Sequence, residues 1–283
     1  NNEKKSEFVD RLAGKIVPGD AFKAYLDGLV AEPPKVATRK ASENTLGALT
    51  ADIAALVGGS ADLTGSNNTK TSSTKPLTKN DYSGRYIYYG IREFGMAAAM
   101  NGMALHGGII PYGGTFLCFS DYARPAMRLA SLMGIRSIFV RTHDSIGLGE
   151  DGPTHQPGEH RSARRAIPNH NFFRPADAME TAECWELAIR RTDGPSLMAL
   201  SRQGLPALRT DTGENRCARG GSLARREGAG SAGEKAAHQP RLVLGRRGRL
   251  GRRRRRRSHA RRRARHRAQK SRRHARRRAG QLM

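Results

Sequence analysis

Short apolar runs alternate along the first 214 residues with segments whose apolar residues recur every three or four positions. The second pattern predicts helices, because residues at that spacing share one face, as Leu46, Leu49 and Ile53 do. Helices are predicted over residues 21–30, 41–55, 93–106, 116–133 and 176–191. Strands are predicted over residues 56–63, 85–90, 107–114, 136–144 and 195–201. Pro125 is expected to kink or interrupt the helix that contains it.

This order of elements predicts an α/β fold in which helices flank both faces of a parallel sheet. Ligands of such sheets bind beyond the carboxyl ends of the strands. The loop GLGEDGPTHQP, residues 147–157, follows the strand that begins at Arg136. Its glycines and prolines exclude a regular helix or strand, so we expect this loop at the ligand-binding edge of the sheet.

The net charge of +26 is concentrated at the carboxyl end of the chain. Residues 215–283 contain 26 Lys and Arg against two acids, a net of +24, whereas residues 1–214 contain 25 against 23. This tail has no Phe, Trp or Tyr with which to build a core, so we expect it to be disordered. Two interpretations of the tail are open: nonspecific nucleic-acid binding, or out-of-frame translation of a GC-rich gene.

The cysteines and the short apolar runs indicate the cellular context. Cys118, Cys184 and Cys217 are far apart and form no CxxC pair, which favours a reducing compartment over a disulfide framework. No apolar run is long enough to span a bilayer, and no signal peptide is recognisable. We therefore expect a cytoplasmic protein with no membrane partner. Because the chain begins with Asn1, we also expect that an upstream segment is missing.

Two groups of residues suggest a site for a flat, polar ligand. Glu93 begins a helix rich in Ala and Met, where it is either a surface acid or a buried acid that binds a ligand. Phe116, Phe119 and Tyr122 recur every three residues and are interpreted as one helix face. That face serves either ordinary core packing or an aromatic wall for a ring.

A second set of candidate site residues comprises polar residues in and near the loop and two arginines that are far apart in sequence. The spacing of His143, Asp151 and His155 fits no metal-site signature, so we predict no metal site in the chain. These residue types suit hydrogen bonds to a polyol or a phosphate, although a loop histidine is often only solvated. Arg39 and Arg202 are either surface bases or a phosphate clamp.

Six segments of the chain together resemble the transketolases. In the order and spacing of that family, they are RKASENTLGAL, GGSADLTGSN, YYGIREFGMAAAMNG, GGTFLCFSDYARPAMRLASLMG, THDSIGLGEDGPTHQP and LSRQ. The resemblance covers residues 35–214 and implies the pyrimidine-binding domain of these thiamine-diphosphate enzymes. Residues 1–34 look like the interdomain linker of the family, and residues 215–283 form the basic tail.

The resemblance implies a role for each candidate residue. Glu93 would bond the aminopyrimidine ring of thiamine diphosphate and would act in catalysis together with His155. The other residues implied near the cofactor are Asp62, Phe116, Phe119 and Tyr122. The residues implied to bind the sugar-phosphate substrate are Arg39, Ser66, His143, Asp151, His155 and Arg202.

The resemblance also implies partners that the chain lacks. In the family, the diphosphate and a divalent metal such as Mg²⁺ bind to a separate upstream domain with a Gly-Asp-Gly motif, which this sequence does not contain. The active site lies between the subunits of a homodimer, so we expect this fragment alone to be inactive in ketol transfer from a ketose phosphate to an aldose phosphate. Deoxyxylulose-phosphate synthases share a similar DGPTHQ loop and are an alternative, although Arg39 and the segments SADLTGSN and SRQ favour transketolase.

Overall fold

The computed structural model describes residues 2–144, 146–209, 211–213 and 215–219. Its strands are β1 (Leu56–Ser60), β2 (Tyr86–Tyr88), β3 (Ile110–Phe116), β4 (Ile138–Thr142), β5 (Asn171–Phe173) and β6 (Ser196–Ala199). They form one sheet in the order β2-β1-β3-β4-β6-β5, and every neighbouring pair is parallel. The predicted parallel α/β fold is confirmed.

Helices cover both faces of this sheet. They are α1 (Asn2–Leu12), α2 (Asp20–Ala31), α3 (Thr38–Asp52), α4 (Thr64–Asn67), α5 (Glu93–His106), α6 (Ser120–Met133), α7 (His160–Arg165) and α8 (Ala178–Arg190). Ile138 and Val140 join the hydrophobic cluster formed with α2, α3 and α8, whereas Phe139 joins the cluster formed with α5 and α6. Alternate residues of β4 therefore enter opposite cores, as expected for a parallel strand that is buried on both sides.

The helix predicted over residues 116–133 begins four residues later than expected. Phe116 is the last residue of β3 and pairs with Thr142 of β4. The spacing of the three aromatic residues suggested a helix, but β3 is buried along its whole length between two neighbouring strands, and that packing decides its conformation. Pro125 does not interrupt the helix, because α6 continues through that residue, and the alternative of a kink stays a prediction.

The sequence pattern missed four of these helices and strands, among them the short helix α4 between the predicted strands at 56–63 and 85–90. Helix α1 lies in the segment predicted as a linker with one helix, and β5 and α7 lie between the predicted strands at 136–144 and 195–201. Strand β5 has only three residues and pairs only with β6 at the edge of the sheet. Such a short run contains too few residues to show a period, so only its pairing partner identifies it as a strand.

The last described residues pack against α8. Cys217 lies in a 3₁₀ turn (Arg216–Arg219), is buried, and has its Sγ atom 3.9 Å from Sγ of Cys184. Its backbone N–H donates to the carboxylate of Glu183 at 3.1 Å. Residues 215–219 are thus ordered, contrary to the disorder expected from residue 215 onward. Residues 220–283 lie outside the described residues, so the disorder and nucleic-acid binding expected of the rest of the tail stay predictions, as does the division of the chain at 34 and 214.

The carboxyl ends of the central strands meet at one edge of the sheet. There, β1, β3, β4 and β6 end and the chain enters the segments that carry most of the candidate residues. Among the described residues, no helix is both long enough and apolar enough to cross a lipid bilayer.

Gly58 allows β1 to pack against a buried tyrosine. A Cβ atom on Gly58 would lie 2.1 Å from Cζ of Tyr112. The Tyr112 hydroxyl donates to the backbone oxygen of Thr69 at 3.0 Å, and its ring meets Trp185 edge-on at 5.7 Å. The ring therefore has little freedom to move, and we predict that Gly58→Ala lowers the free energy of unfolding by about 1–3 kcal/mol.

Urea unfolding of the variant checks this prediction. The matched control is Gly28→Ala within α2, where an added Cβ has no atom within 4 Å. There the change removes helix-interior glycine and is expected to stabilise the protein by roughly 0.5–1 kcal/mol. Equal stability of Gly58→Ala and the wild-type chain would show that the contact with Tyr112 does not limit the packing.

His170 is expected to make the stability depend on pH. Burial and the nearby charges of Arg191, Arg164 and Arg141 lower the pKa of His170 to about 3. Below the ordinary histidine pKa the unfolded chain binds a proton that the folded chain excludes, so stability decreases as the pH falls. Between pH 7 and pH 5 this one group should reduce the free energy of unfolding by about 2 kcal/mol.

The pH dependence is measured by urea unfolding at both pH values. His170→Gln removes the titrating group and should reduce the difference between them, whatever its effect on stability at pH 7. His106→Gln, a change at an exposed histidine, should leave the difference unchanged. An unchanged difference in His170→Gln would contradict the assignment.

Candidate active site

Glu93 is a buried acid without a protein partner. It is the first residue of α5, where the helix dipole favours a negative charge, and it follows a turn in which Gly90 has a φ of +67°. Glu93 is only 8% exposed. Within the described part of the chain, its carboxylate makes no hydrogen bond or ion pair. A largely covered acid at a helix start that contacts no described basic group is suited to bind a ligand.

The three candidate aromatic side chains come together although they do not share one helix. Phe116 ends β3, Phe119 lies in the turn that follows, and Tyr122 lies in the first turn of α6. The rings of Phe116 and Phe119 stack with centroids 5.6 Å apart and planes 9° apart, and Tyr122 is 6.1 Å from Phe119. We call Phe116, Phe119 and Tyr122 the aromatic wall.

His143 and His155 extend this aromatic wall. The ring centroid of His143 is 3.8 Å from that of Phe116, and that of His155 is 5.2 Å from that of Phe119. His143 directly follows β4 with a φ of +60°, a left-handed conformation that is strained for a residue other than glycine. Burial and, to a smaller extent, the charge of Arg39 lower the pKa of His143 to about 4. Its imidazole is therefore neutral at physiological pH.

Two guanidinium groups lie on the other side of His143. Nη1 of Arg39 is 3.5 Å from Nε2 of His143 and donates to the backbone oxygen of Ser66 at 2.8 Å. Burial and the positive charge of Arg202 both lower the pKa of Arg39, which indicates that the two cations are close to each other. Two guanidinium groups near one end of a parallel sheet are suited to bind a phosphate.

The loop of residues 147–157 contacts Arg202 through its acids. Arg202 forms an ion pair with Glu150, and its Nε is 3.7 Å from Oδ2 of Asp151. The same oxygen of Asp151 is buried and makes no hydrogen bond. Gly149, at a φ of +88°, lets the backbone approach, because a Cβ there would lie 2.9 Å from Nη1 of Arg202. The loop therefore lies at the predicted edge of the sheet.

Asp62 and Ser66 are connected less directly to the other candidates. Asp62 follows β1 with a φ of +61° and is exposed, and no described residue of the candidate site hydrogen-bonds to its side chain. Ser66 reaches the site through its backbone oxygen, which accepts from Arg39.

Sequence reasoning missed a buried hydrogen-bond chain behind His143. Thr142 and Asn67 link the imidazole to Ser60 at the end of β1. Their positions gave a partial signal, because Thr142 precedes His143 and Asn67 follows Ser66. The pairing of residues 75 positions apart in sequence could not be found in that way.

A second polar cluster offers ligand types that metals use. Asp121, Glu159 and His160 bring one ligand atom each within 4.8 Å of one another. However, Asp121 already pairs with Arg164 at 2.5 Å and with His160 at 3.0 Å. Because Arg164 neutralises this carboxylate, the cluster is better described as an ion-pair network than as a cation site.

Comparisons with known proteins agree on one family. Residues 34–207, more than half of the chain, match the model of the transketolase pyrimidine binding domain. A transketolase of Sinorhizobium medicae is 59% identical over 208 residues, which cover 73% of this chain and 30% of that protein. A transketolase of Pichia stipitis, solved in complex with sedoheptulose-7-phosphate, aligns with a TM-score of 0.66 and 45% identity over 72% of this chain and 31% of its own.

A further structural neighbour is described as a split-gene transketolase, an inactive beta4 tetramer. It is 27% identical with a TM-score of 0.51, over 62% of this chain and 54% of its own. The chain thus spans about 30% of the length of the curated relatives that it matches first. With the fold, the sheet edge and these matches in agreement, the chain belongs to the transketolase family and carries its pyrimidine-binding domain.

Proposed function

We propose that this chain supplies the pyrimidine-binding half of a transketolase active site. The complete site would transfer a two-carbon ketol unit from a ketose phosphate to an aldose phosphate. The observation that carries this proposal is Glu93, a largely buried acid that begins a helix at the sheet edge and has no hydrogen-bond or ion-pair partner among the described residues. An acid in that state is suited to hydrogen-bond a ring nitrogen of a bound ligand.

The residues present fit the aminopyrimidine half of thiamine diphosphate. The aromatic wall offers flat apolar contacts for its ring, and Glu93 would hold a proton against a ring nitrogen. When bound, the cofactor supplies the chemistry that breaks and forms the carbon–carbon bond. Asp62, also at this edge, is proposed to lie near the cofactor.

The polar side of the site fits a sugar phosphate. Arg39 and Arg202 would hold the phosphate, with Ser66 beside Arg39. His143, Asp151 and His155 would bond the hydroxyl groups, and His155 would assist proton transfer. The Pichia stipitis relative is described with a bound seven-carbon ketose phosphate, which supports this class of substrate.

The other half of the site is proposed to come from another domain or subunit. The aromatic wall and its surroundings leave apolar surface uncovered, since Ile91, Phe94 and Tyr122 are 79%, 51% and 66% exposed. In the intact enzyme, a homodimer would place the diphosphate-binding domain and its Mg²⁺ against this face. The split-gene relative, described as inactive, supports the view that one part of the enzyme does not act alone.

We predict that the purified 283-residue chain has no ketol-transfer activity and that activity appears on mixing with a separately produced diphosphate-binding domain. That domain can be taken from the Sinorhizobium medicae transketolase. The assay mixture also contains thiamine diphosphate, Mg²⁺ and the sugar phosphates. In the mixture, Glu93→Gln should lower the turnover by roughly 100-fold or more, because a neutral amide cannot exchange the proton.

The matched control is Glu7→Gln, a change at an exposed acid of α1, which should leave the turnover unchanged. Ketol transfer by the chain alone would refute the proposed half-site. Full activity of Glu93→Gln in the mixture would refute the assignment of the catalytic acid.

A further inference from the structure

Four buried side chains form a continuous hydrogen-bond chain that ends on His143. Ser60 is 3.1 Å from Asn67, Asn67 is 2.7 Å from Thr142, and Thr142 is 2.8 Å from Nδ1 of His143. All four residues are at most 3% exposed. They come from β1, α4 and the end of β4, so these hydrogen bonds join three elements beneath the candidate site.

The first links fix the orientation of the Asn67 amide. The hydroxyl oxygen of Ser60 accepts from the backbone N–H of Leu63 at 3.2 Å, and its proton faces Oδ1 of Asn67 and the backbone oxygen of Gly114. Since Oδ1 accepts from Ser60, the amide nitrogen of Asn67 points to Thr142 and donates to Oγ1.

The last link fixes the tautomer of His143. Oγ1 of Thr142 accepts from Asn67, and among the described residues its own proton has no acceptor other than Nδ1 of His143. A hydroxyl that is buried without an acceptor is costly, so Thr142 donates to Nδ1. A neutral imidazole that accepts at Nδ1 carries its proton on Nε2.

One contact opposes this assignment, and it is the weaker constraint. Nη1 of Arg39 lies 3.5 Å from Nε2, where it would prefer an acceptor. That distance is at the limit of a hydrogen bond, and Nη1 already donates to the backbone oxygen of Ser66 at 2.8 Å. The buried Thr142 contact is shorter by 0.7 Å, and the Nε2 proton that this assignment leaves without an acceptor among the described residues is available to a ligand oxygen.

We propose that Asn67 is a positioning residue that, through Thr142, fixes His143 as a hydrogen-bond donor at Nε2. On the proposed function, His143 then binds an oxygen acceptor of the sugar and does not take a proton from it. His155 is not restricted in this way, because the hydroxyl that its Nδ1 contacts among the described residues is that of Thr154, which is exposed. The chain of hydrogen bonds thus separates a binding histidine from one that is free to transfer protons.

Nitrogen-15 NMR of the full chain with labelled histidine rings tests the tautomer directly. The chain has nine histidines, and a difference spectrum against His143→Gln identifies the signals of His143. At neutral pH, we expect a protonated Nε2 and an unprotonated Nδ1. A proton on Nδ1 in the wild-type chain would overturn the proposal.

Asn67→Asp replaces the amide donor at the centre of the hydrogen-bond chain by a carboxylate acceptor of nearly the same shape. An aspartate accepts from Thr142, whose oxygen then accepts from His143, so the imidazole proton should move to Nδ1 and the two ring signals should exchange character. An unchanged His143 pattern in a folded Asn67→Asp protein would overturn the proposal.

Thr142→Val gives an independent test if the aspartate is not tolerated. It removes the donor to Nδ1 while keeping the side-chain shape, so the imidazole proton of His143 should redistribute toward Nδ1. Retention of the wild-type His143 signals would count against the proposal. Thr45→Val is the matched control, because Thr45 is equally buried but donates to the backbone oxygen of Ala41 within α3, and it should leave the His143 signals unchanged. These signals do not depend on ketol transfer, so the tautomer and the proposed function can fail separately.

Discussion

The register between β3 and β4 is the constraint on which the rest of the site depends. Phe116 pairs with Thr142 in that register, and the backbone N–H of Leu117 closes it by donating to the oxygen of Thr142 at 2.8 Å. Because both strands end together, the residues that follow them meet, and the ring of His143 packs on that of Phe116. A slip by one residue would turn every side chain of β4 to the opposite core, so the two hydrophobic clusters protect the geometry of the site. The site is therefore as firmly placed as the centre of the sheet.

The site around this register combines three electrostatic environments within one edge. Glu93 is a largely buried acid without a hydrogen-bond or ion-pair partner among the described residues, His143 is kept neutral by burial, and Arg39 and Arg202 are two cations whose positive charges interact. The covered faces of the sheet hold the strands that place these groups. The arrangement is more consistent with ligand binding than with structural support.

Much of this fold, but less of the site, could be predicted from the sequence. The bounds of α5 and the approximate positions of β1, β3, β4 and β6 follow from long periodic or apolar segments, and the sheet edge follows from their parallel order. Phe116 was placed in a helix because a spacing of three suggests one, whereas its real partner is a strand 22 residues later at Ile138–Thr142. The pairing of Asn67 with Thr142 left no trace in the local pattern, because it depends on how two distant segments pack. Local periodicity therefore reveals elements, and tertiary contact decides what lies behind the site.

The left-handed backbone at Asp62 and His143 has a consequence for the engineering of this domain. His143 directly follows β4 and Asp62 lies two residues beyond β1, and both have a positive φ that glycine adopts without strain. A design procedure that optimises stability alone would therefore select glycine at positions 62 and 143. Those substitutions would relax the backbone while deleting two side chains from the ligand-binding edge. On the proposed function, backbone stability and ligand binding thus impose opposite demands on the same two residues.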